Sequence, residues 1–214
     1  FLIRGSIPMD QNVGTIDIDA LTLGVEGRFQ DWTRDKYAEI IDALNAMNAR
    51  MIGFDIFFPE ASATEILKKQ DLISAQVKSV DDVLDLFRDY DEELRESMIN
   101  AGNVFLGQSF QIAANQDDAD WIRENTGAKN EDKRQALEYL EPFSKEYPDW
   151  PDSKLTFYTD IEPPRTMLMK ASRGVGYAMT VADIDGSVRQ YPVVLIYDGK
   201  IWPSLALVMI LDYI

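Results

Sequence analysis

The sequence predicts an α/β domain with a βαβ-based mixed central sheet flanked by helices. Residues 50–58 form a nearly continuous apolar run, which is typical of a strand covered on both faces. Apolar residues recur at helical spacing before and after this run. Near the end of the chain, Asp198-Gly199 separates two strand-like segments and indicates a β-hairpin. The early part therefore favours parallel strands, and the late part favours an antiparallel meander.

The first predicted elements are a strand, a helix and a second strand. Residues 13–19 form a short apolar segment with a polar end, and Asp31 or Thr33 can cap the helix that follows. That helix has one apolar stripe, formed by Tyr37, Ile40, Ile41, Leu44 and Met47. The strand at residues 50–58 then ends at Pro59. This order predicts a right-handed βαβ unit with parallel strands.

A long helix is predicted next, over residues 61–101. Its apolar face holds Val83, Phe87, Tyr90, Leu94 and Met98. The intervening acidic residues predict a solvated outer face, with an acidic docking surface as the alternative; they are Asp81, Asp82, Asp85, Asp89, Asp91, Glu92, Glu93 and Glu96. Gly102 is a candidate C-cap, and residues 103–110 are a candidate third strand.

The second half of the chain is more irregular. Residues 111–164 are polar, with aromatic residues and prolines among charges, and predict a helical and loop insertion that forms a cap on the sheet. A helix at 163–172, a strand at 176–182, a turn at 183–186 and a strand at 188–197 lead to the hairpin. Pro203 fits the first position of a closing helix. We expect a single domain over residues 1–214.

Charge and composition exclude several classes of function. The chain has 214 residues and a formal net charge of −16, which as a whole repels nucleic acid and anionic membrane surfaces. It has no cysteine and no histidine. This excludes disulfides, thiolate nucleophiles, zinc–sulfur sites, Ser-His-Asp hydrolases and His-ligated metals. Any chemistry would depend on carboxylates, Lys, Tyr or a hard cation, and no cofactor is predicted.

The two ends predict that the chain is a piece of a longer protein. It begins with Phe1-Leu2-Ile3 and closes within an apolar run at residues 205–211. That run is too short to span a bilayer, which needs about 20 apolar residues. Any membrane-spanning segments are therefore expected outside this sequence.

Five short motifs resemble the second CHASE family, the cyclase- and histidine-kinase-associated sensing extracellular domains. They are Ile18-Asp19, Trp32 with Arg34, Ile52-Gly53-Phe54-Asp55-Ile56-Phe57-Phe58, Asp185-Gly186-Ser187-Val188-Arg189-Gln190-Tyr191-Pro192, and Trp202-Pro203-Ser204-Leu205-Ala206. They occur in the family's order and bracket nearly the whole chain. Asp31 and Thr33 depart from the pattern, because prolines are usual at those positions.

The resemblance implies an input domain on the periplasmic or extracellular side of a bacterial membrane receptor. Flanking transmembrane helices would connect it to a nucleotide cyclase, diguanylate cyclase, histidine kinase or Ser/Thr kinase. It implies no catalytic residue in this domain. We expect an unknown small-molecule or protein signal, and a homodimer, because such output domains commonly act as dimers.

Several residues are candidate ligand-binding or structural anchors. Asp19 follows a predicted strand at the carboxyl edge of the sheet, where ligands bind in open α/β folds, although capping of the next turn is the alternative. Asp55 lies inside an apolar strand, so its carboxylate needs a partner. Arg34 is the candidate partner, either in a structural ion pair or in a ligand pocket. Trp32 is expected to pack over the end of the sheet or to stack on a ligand.

The late motif adds Asp185 and Arg189 as anchors, and Asp183 with Asp185 as weak metal ligands. The sequence Asp183-Ile184-Asp185-Gly186 lacks the other oxygen ligands of a calcium loop, and a turn with Gly186 at positive φ is favoured. It also resembles the first motif of haloacid-dehalogenase-type phosphatases. The alternative function is therefore a Mg-dependent phosphohydrolase that uses Asp183 and Asp185, or Asp17 and Asp19. A weaker alternative is an assembly module that docks a partner protein.

Overall fold

The computed structural model describes residues 10–62, 65–66, 87–112, 117, 131–146, 158–180, 185–188, 191–197 and 200–214. The chain divides into two compact units, residues 1–32 and 33–214. The first unit contains helix α1 (Ala20–Glu26) and a 3-10 turn (Phe29–Asp31). Residues 13–19 are all described, and none of them lies in a strand. The predicted first strand is therefore wrong: the segment ends in a helix cap at Asp19, and no strand in the described part of the chain pairs with it.

The second unit is mixed α/β, as predicted. Its helices are α2 (Arg34–Ala46), α3 (Tyr90–Ala101), α4 (Glu131–Leu140), α5 (Thr166–Ala171) and α6 (Leu205–Tyr213). Its strands are β1 (Ile52–Phe54), β2 (Glu65–Ile66), β3 (Phe87–Arg88), β4 (Val104–Ile112), β5 (Lys145–Glu146), β6 (Tyr158–Glu162), β7 (Gly174–Tyr177), β8 (Val194–Tyr197) and β9 (Lys200–Pro203).

The central sheet is built on β4. Strands β1 and β7 both pair with β4 in parallel, with Ile52 opposite Val104 and Val175 opposite Leu106. Farther along, β6 pairs with β4 in the antiparallel sense. Residues 13–19 were predicted to form a parallel pair with the strand at 50–58. The parallel partner of β1 is instead β4, and helix α3 lies between these two strands in the chain. Residues 104–108 and Phe110 of β4 are buried, and the strand has partners along most of its length.

Helices cover both faces of the sheet. The ring of Phe54 on β1 contacts Tyr37 of α2 edge to face, whereas the neighbouring Gly53 faces Met209 of α6. Successive strand residues point to opposite faces, so α2 and α6 lie on opposite sides of β1. Helices α3 and α5 pack on the α2 side through a fully buried set of side chains, which includes Ile41, Leu94, Met98, Leu168 and Met169.

The predicted helix over residues 61–101 is wrong in its first part. Residues 65–66 and 87–88 form the short antiparallel pair β2–β3, and the helix begins at Tyr90. The carboxylate of Asp89 accepts hydrogen bonds from the N–H groups of Asp91 and Glu92, which fixes this start. Gly102 ends α3 at a φ of 68°, and its N–H donates to Met98, so the predicted C-cap is confirmed.

The polar segment at residues 111–164, which was predicted to form a cap on the sheet, also supplies strands to two sheets. Strand β6 belongs to the central sheet, and β5 pairs with β9 in a second, antiparallel sheet. The predicted hairpin is confirmed by the β8–β9 pair, in which Tyr197 is opposite Lys200; the turn residues 198–199 lie outside the described residues. Pro203 is the last residue of β9 and does not begin the closing helix. Ser204 caps α6 instead, because its hydroxyl accepts a hydrogen bond from the N–H of Leu207.

No helix in the described part of the chain is both long and apolar enough to cross a membrane.

Candidate functional site

A buried carboxylate joins three helices at the carboxyl edge of the central sheet. Asp91, in the first turn of α3, is 2% exposed. Its Oδ1 accepts a hydrogen bond from Nε of Arg34 at 3.1 Å. Its Oδ2 accepts from Nη1 of Arg165 at 2.5 Å and from the N–H of Ser62 at 2.9 Å. We call these four residues the Asp91 cluster.

Local structure brings each member of the Asp91 cluster into place. Arg34 is the first residue of α2, Arg165 is the N-cap of α5, and Asp91 follows the Asp89 cap of α3. A negative charge in the first turn of α3 interacts favourably with that helix's dipole. Two guanidinium groups and a backbone N–H offset the cost of burying the carboxylate. The cluster therefore links the start of three helices through one charged group.

The segment that follows β1 is held by the same two arginines. Nη2 of Arg34 donates to the carbonyl of Glu60 at 2.8 Å, and its guanidinium lies 4.4 Å from the ring centre of Phe58. The N–H of Arg165 donates to the carbonyl of Phe58 at 2.8 Å. Phe58 is fully buried against Tyr37. This segment leaves the carboxyl end of β1, the edge of a parallel sheet at which functional residues usually gather.

The predicted pair between Arg34 and Asp55 is wrong. Arg34 pairs with Asp91, while Asp55 is exposed and makes no ion pair with any residue that the structure describes. The apolar run at 50–58 suggested a buried strand, but the strand itself ends at Phe54. Asp55 therefore lies just beyond the sheet, where its charge does not require an arginine.

Asp55 belongs instead to a second polar group, with Tyr191 and Tyr177. The Tyr191 hydroxyl donates to the carbonyl of Tyr177 at 3.1 Å, and the two rings stack with centres 5.9 Å apart. Burial, and then the charge of Asp55, raise the pKa of the Tyr191 phenol. Although the Asp55 side chain reaches the surface, neighbouring groups partly desolvate its carboxyl, and this desolvation raises the pKa of Asp55. This group lies at the carboxyl ends of β1 and β7, near the start of α6 at Ser204.

The candidate residues of the first unit have local roles. Oδ1 of Asp19 accepts hydrogen bonds from the N–H and the hydroxyl of Thr22, both at 2.9 Å, which lowers the pKa of Asp19. Asp19 is thus the N-cap of α1, and it does not follow a strand. The indole Nε1–H of Trp32 donates to the carbonyl of Gly27 at 3.2 Å, and its ring lies 5.9 Å from Phe29. That Trp32 covers the end of the sheet stays a prediction.

The late acidic motif is described only in part. Asp185 is exposed in a turn, its carboxylate accepts from the N–H of Ser187 at 3.1 Å, and Gly186 has a φ of 77°, as predicted. Asp183 and Arg189 lie outside the described residues. Asp17, Asp19 and Asp185 are described, and no group of three acidic residues within the described ranges could hold a metal ion. The phosphohydrolase alternative gains no support from these positions.

Sequence reasoning missed Asp91 as a buried group and did not single out Arg165 or Ser62. Asp91 had been assigned to the solvated acidic face of the helix. However, Asp91, Leu94 and Met98 are spaced at i, i+3 and i+7, which places Asp91 on the buried stripe. That spacing was the available signal. No comparable signal in the sequence pointed to Arg165, which lies 74 positions away from Asp91.

Comparison with known proteins identifies the family. The family model described as the CHASE2 domain matches residues 1–214, the whole chain. No curated protein and no solved structure matches the chain. CHASE2 domains are extracytoplasmic sensory domains of signalling proteins and are not themselves catalytic. The chain therefore belongs to the CHASE2 family of sensory domains.

Proposed function

We propose that this chain is the input domain of a bacterial membrane receptor. It senses a small-molecule or protein signal outside the cytoplasm and transmits it through flanking transmembrane helices. The output is a nucleotide or diguanylate cyclase, a histidine kinase or a Ser/Thr kinase. The family match over residues 1–214 carries this proposal, because sensory function and extracytoplasmic placement are properties of the family.

Helix α6 is the element that we propose carries the signal. It packs directly on β7 and β4, and its first residue lies against Gly176. Its N-cap, Ser204, pairs with Tyr177, which stacks on Tyr191. A signal that changes the carboxyl edge of the sheet therefore reaches α6 through contacts that already exist. The Asp91 cluster keeps the opposite face of the sheet fixed while α6 moves. Two receptor chains act together as a homodimer.

Placement is tested in the full-length protein that contains this chain. Alkaline phosphatase, which is active only outside the cytoplasm, is fused within the domain, and a cytoplasmic fluorescent protein is fused at the same position in a second version. We expect phosphatase activity and no fluorescence. The opposite pattern would place the domain in the cytoplasm and end the proposal.

Signal transmission is tested with Gly176→Ala in the full-length protein, with Gly24→Ala as the control. A Cβ at Gly176 would lie 2.5 Å from the N atom of Leu205, whereas a Cβ at Gly24 meets no atom within 4 Å. We expect basal output activity to change with Gly176→Ala and to stay constant with Gly24→Ala, with both proteins in the membrane at equal amounts. Equal output from both variants would exclude α6 as the transmitting element.

A further inference from the structure

Helix α6 is apolar around most of its circumference, yet only one side of it packs on the sheet. Leu205 is buried, and Met209 lies against Gly53. On the other side, Ile210, Leu211 and Tyr213 are 57%, 60% and 56% exposed. A helix that is apolar all round is normally covered on all sides. The last turn of α6 therefore presents an exposed apolar surface, which none of the residues that the structure describes covers.

A cavity of about 230 Å³ lies beside this turn. Its walls include residues that immediately precede three parallel strands: Met51 before β1, Asn103 before β4 and Arg173 before β7. The cavity is also lined by two charged residues, Arg50 and Asp212, and by the aromatic residue Tyr213. The cavity is thus at the amino edge of the sheet, opposite the edge where the Asp91 cluster lies.

The charge at this cavity is locally positive. Nε of Arg173 donates to Oδ1 of Asp212 at 2.8 Å, so that pair is balanced. The guanidinium of Arg50 lies 4.0 Å from the ring centre of Tyr213 and has no carboxylate partner among the described residues. Two arginines thus share one carboxylate, in a chain whose net charge is −16.

We propose that this end of the domain docks on a lipid surface that contains anionic headgroups. Arg50 and Arg173 bind lipid phosphates at the mouth of the cavity, since a guanidinium matches phosphate geometry. Tyr213 lies at headgroup level, where tyrosine is favoured, and Ile210 and Leu211 enter the boundary with the acyl chains. The proposal rests on the extracytoplasmic placement of the domain beside a membrane, and it adds a specific contact surface.

A lipid surface fits this end better than a second copy of the chain. A two-fold contact brings the same patch of both copies together, so the arginines of one copy would face those of the other. A bilayer supplies both an apolar layer and phosphates. The overall negative charge does not prevent this contact, because charges farther away than the Debye length, about 8 Å at physiological ionic strength, are largely screened. The charged residues that line the cavity are Arg50, Arg173 and Asp212, which leave a local net charge of +1.

The test is flotation of the 214-residue chain with vesicles. One set contains phosphatidylethanolamine and phosphatidylglycerol, and the other contains phosphatidylcholine alone. We expect binding to the anionic set, and Arg50→Gln and Arg173→Gln should each weaken it about fivefold. Arg134→Gln is the matched control, because it removes the same charge from an exposed position on α4. Leu211→Ser should weaken binding through its apolar contact, and circular dichroism confirms that each variant is folded.

Four results would overturn the proposal, three of them with vesicles and one in light scattering. The first is no binding to anionic vesicles, and the second is an equal loss with Arg134→Gln and with Arg50→Gln. The third is displacement of the chain from vesicles by inorganic phosphate at constant ionic strength, which would make the cavity a site for free phosphate. If light scattering shows a dimer that Leu211→Ser dissociates, a second copy covers this surface and the lipid contact is excluded. Reporter fusions test extracytoplasmic placement separately, so the two proposals fail independently.

Discussion

Arg34 and Asp91 form a buried ion pair although 57 positions separate them in the sequence. The pair joins the first turn of α2 to the first turn of α3, the two helices that make the most extensive contact in the second unit. Arg165 binds the other oxygen of the same carboxylate and brings in α5. One carboxylate thus sets the relative position of three helices at the carboxyl edge of the sheet.

Removing the charge of Asp91 should strongly destabilise the domain. Asp91→Asn leaves two guanidinium groups, Arg34 and Arg165, facing an uncharged amide, and breaking a buried ion pair in this way typically costs about 3–5 kcal/mol. The free energy of unfolding, measured with urea, should fall by an amount of this order. Glu96→Gln removes the same charge from the exposed side of α3 and should change it by less than about 0.5 kcal/mol. Equal effects of the two variants would contradict a structural role for Asp91.

Arg34→Lys tests how much of the cluster depends on the shape of guanidinium. Lysine keeps the charge but cannot contact Asp91, the Glu60 carbonyl and the Phe58 ring together. We expect a loss of about 1–3 kcal/mol in the free energy of unfolding, the range for losing buried hydrogen-bonded contacts. Arg28→Lys, at an exposed position in the first unit, is the control and should be close to neutral. A neutral Arg34→Lys would show that charge alone holds the cluster.

Asp55→Asn should have the opposite effect from Asp91→Asn. Partial desolvation of its carboxyl raises the folded-state pKa of Asp55 above its unfolded value, so folding favours the protonated form. This favourable contribution is present at low pH and is lost as pH rises through the folded pKa. At pH 7 the variant should be as stable as the wild type or slightly more stable, and the difference should disappear below the unfolded pKa of about 3.9. The difference in stability between the variant and the wild type is measured by thermal melting at pH 7 and at a pH below the unfolded pKa. Clear destabilisation of the variant at pH 7 would show that Asp55 has a cationic partner.

Asp19→Ala should loosen α1 in the first unit. The Asp19 carboxylate accepts two hydrogen bonds from Thr22, and these lower its folded-state pKa. Its contribution to stability is therefore present above the unfolded pKa and is lost as pH falls through the folded pKa. NMR chemical shifts of residues 20–26 should show less helix in Asp19→Ala at neutral pH, and Asp17→Ala should show no change. A helix that persists equally in both variants would mean that the cap is dispensable.

A Cβ at Gly176 should move or detach α6. The added atom would lie 2.6 Å from Cα of Leu205, and backbone atoms cannot yield as a flexible side chain can. Overpacking of this kind costs about 1–3 kcal/mol. We expect Gly176→Ala to lower the free energy of unfolding by this amount and to increase hydrogen exchange in α6. The Gly24→Ala control should keep the wild-type exchange rates in α6, and unchanged rates in Gly176→Ala would contradict the close contact.

The sequence alone determined the α/β class, the strand around residues 104–110, the Gly102 cap, the Asp-Gly hairpin and the family. These features depend on local spacing or on short motifs, so neighbouring residues suffice to specify them. The sequence also correctly placed Tyr90, Leu94 and Met98 on one buried face of a helix, because helical periodicity repeats within a few residues.

Only the tertiary structure decided which charges meet. Asp91 was expected on a solvated face and Arg34 was expected to be the partner of Asp55, and both expectations were wrong because pairing depends on which elements the fold brings together. The segment at residues 13–19 has the alternation of a strand, but no strand among the residues that the structure describes pairs with it. Arg34 finds Asp91 rather than Asp55 because α2 packs along α3 and the strand that precedes Asp55 ends at Phe54. Helical spacing can indicate which positions are buried, but the partner of a buried charge is a property of the folded chain, and local sequence does not encode it.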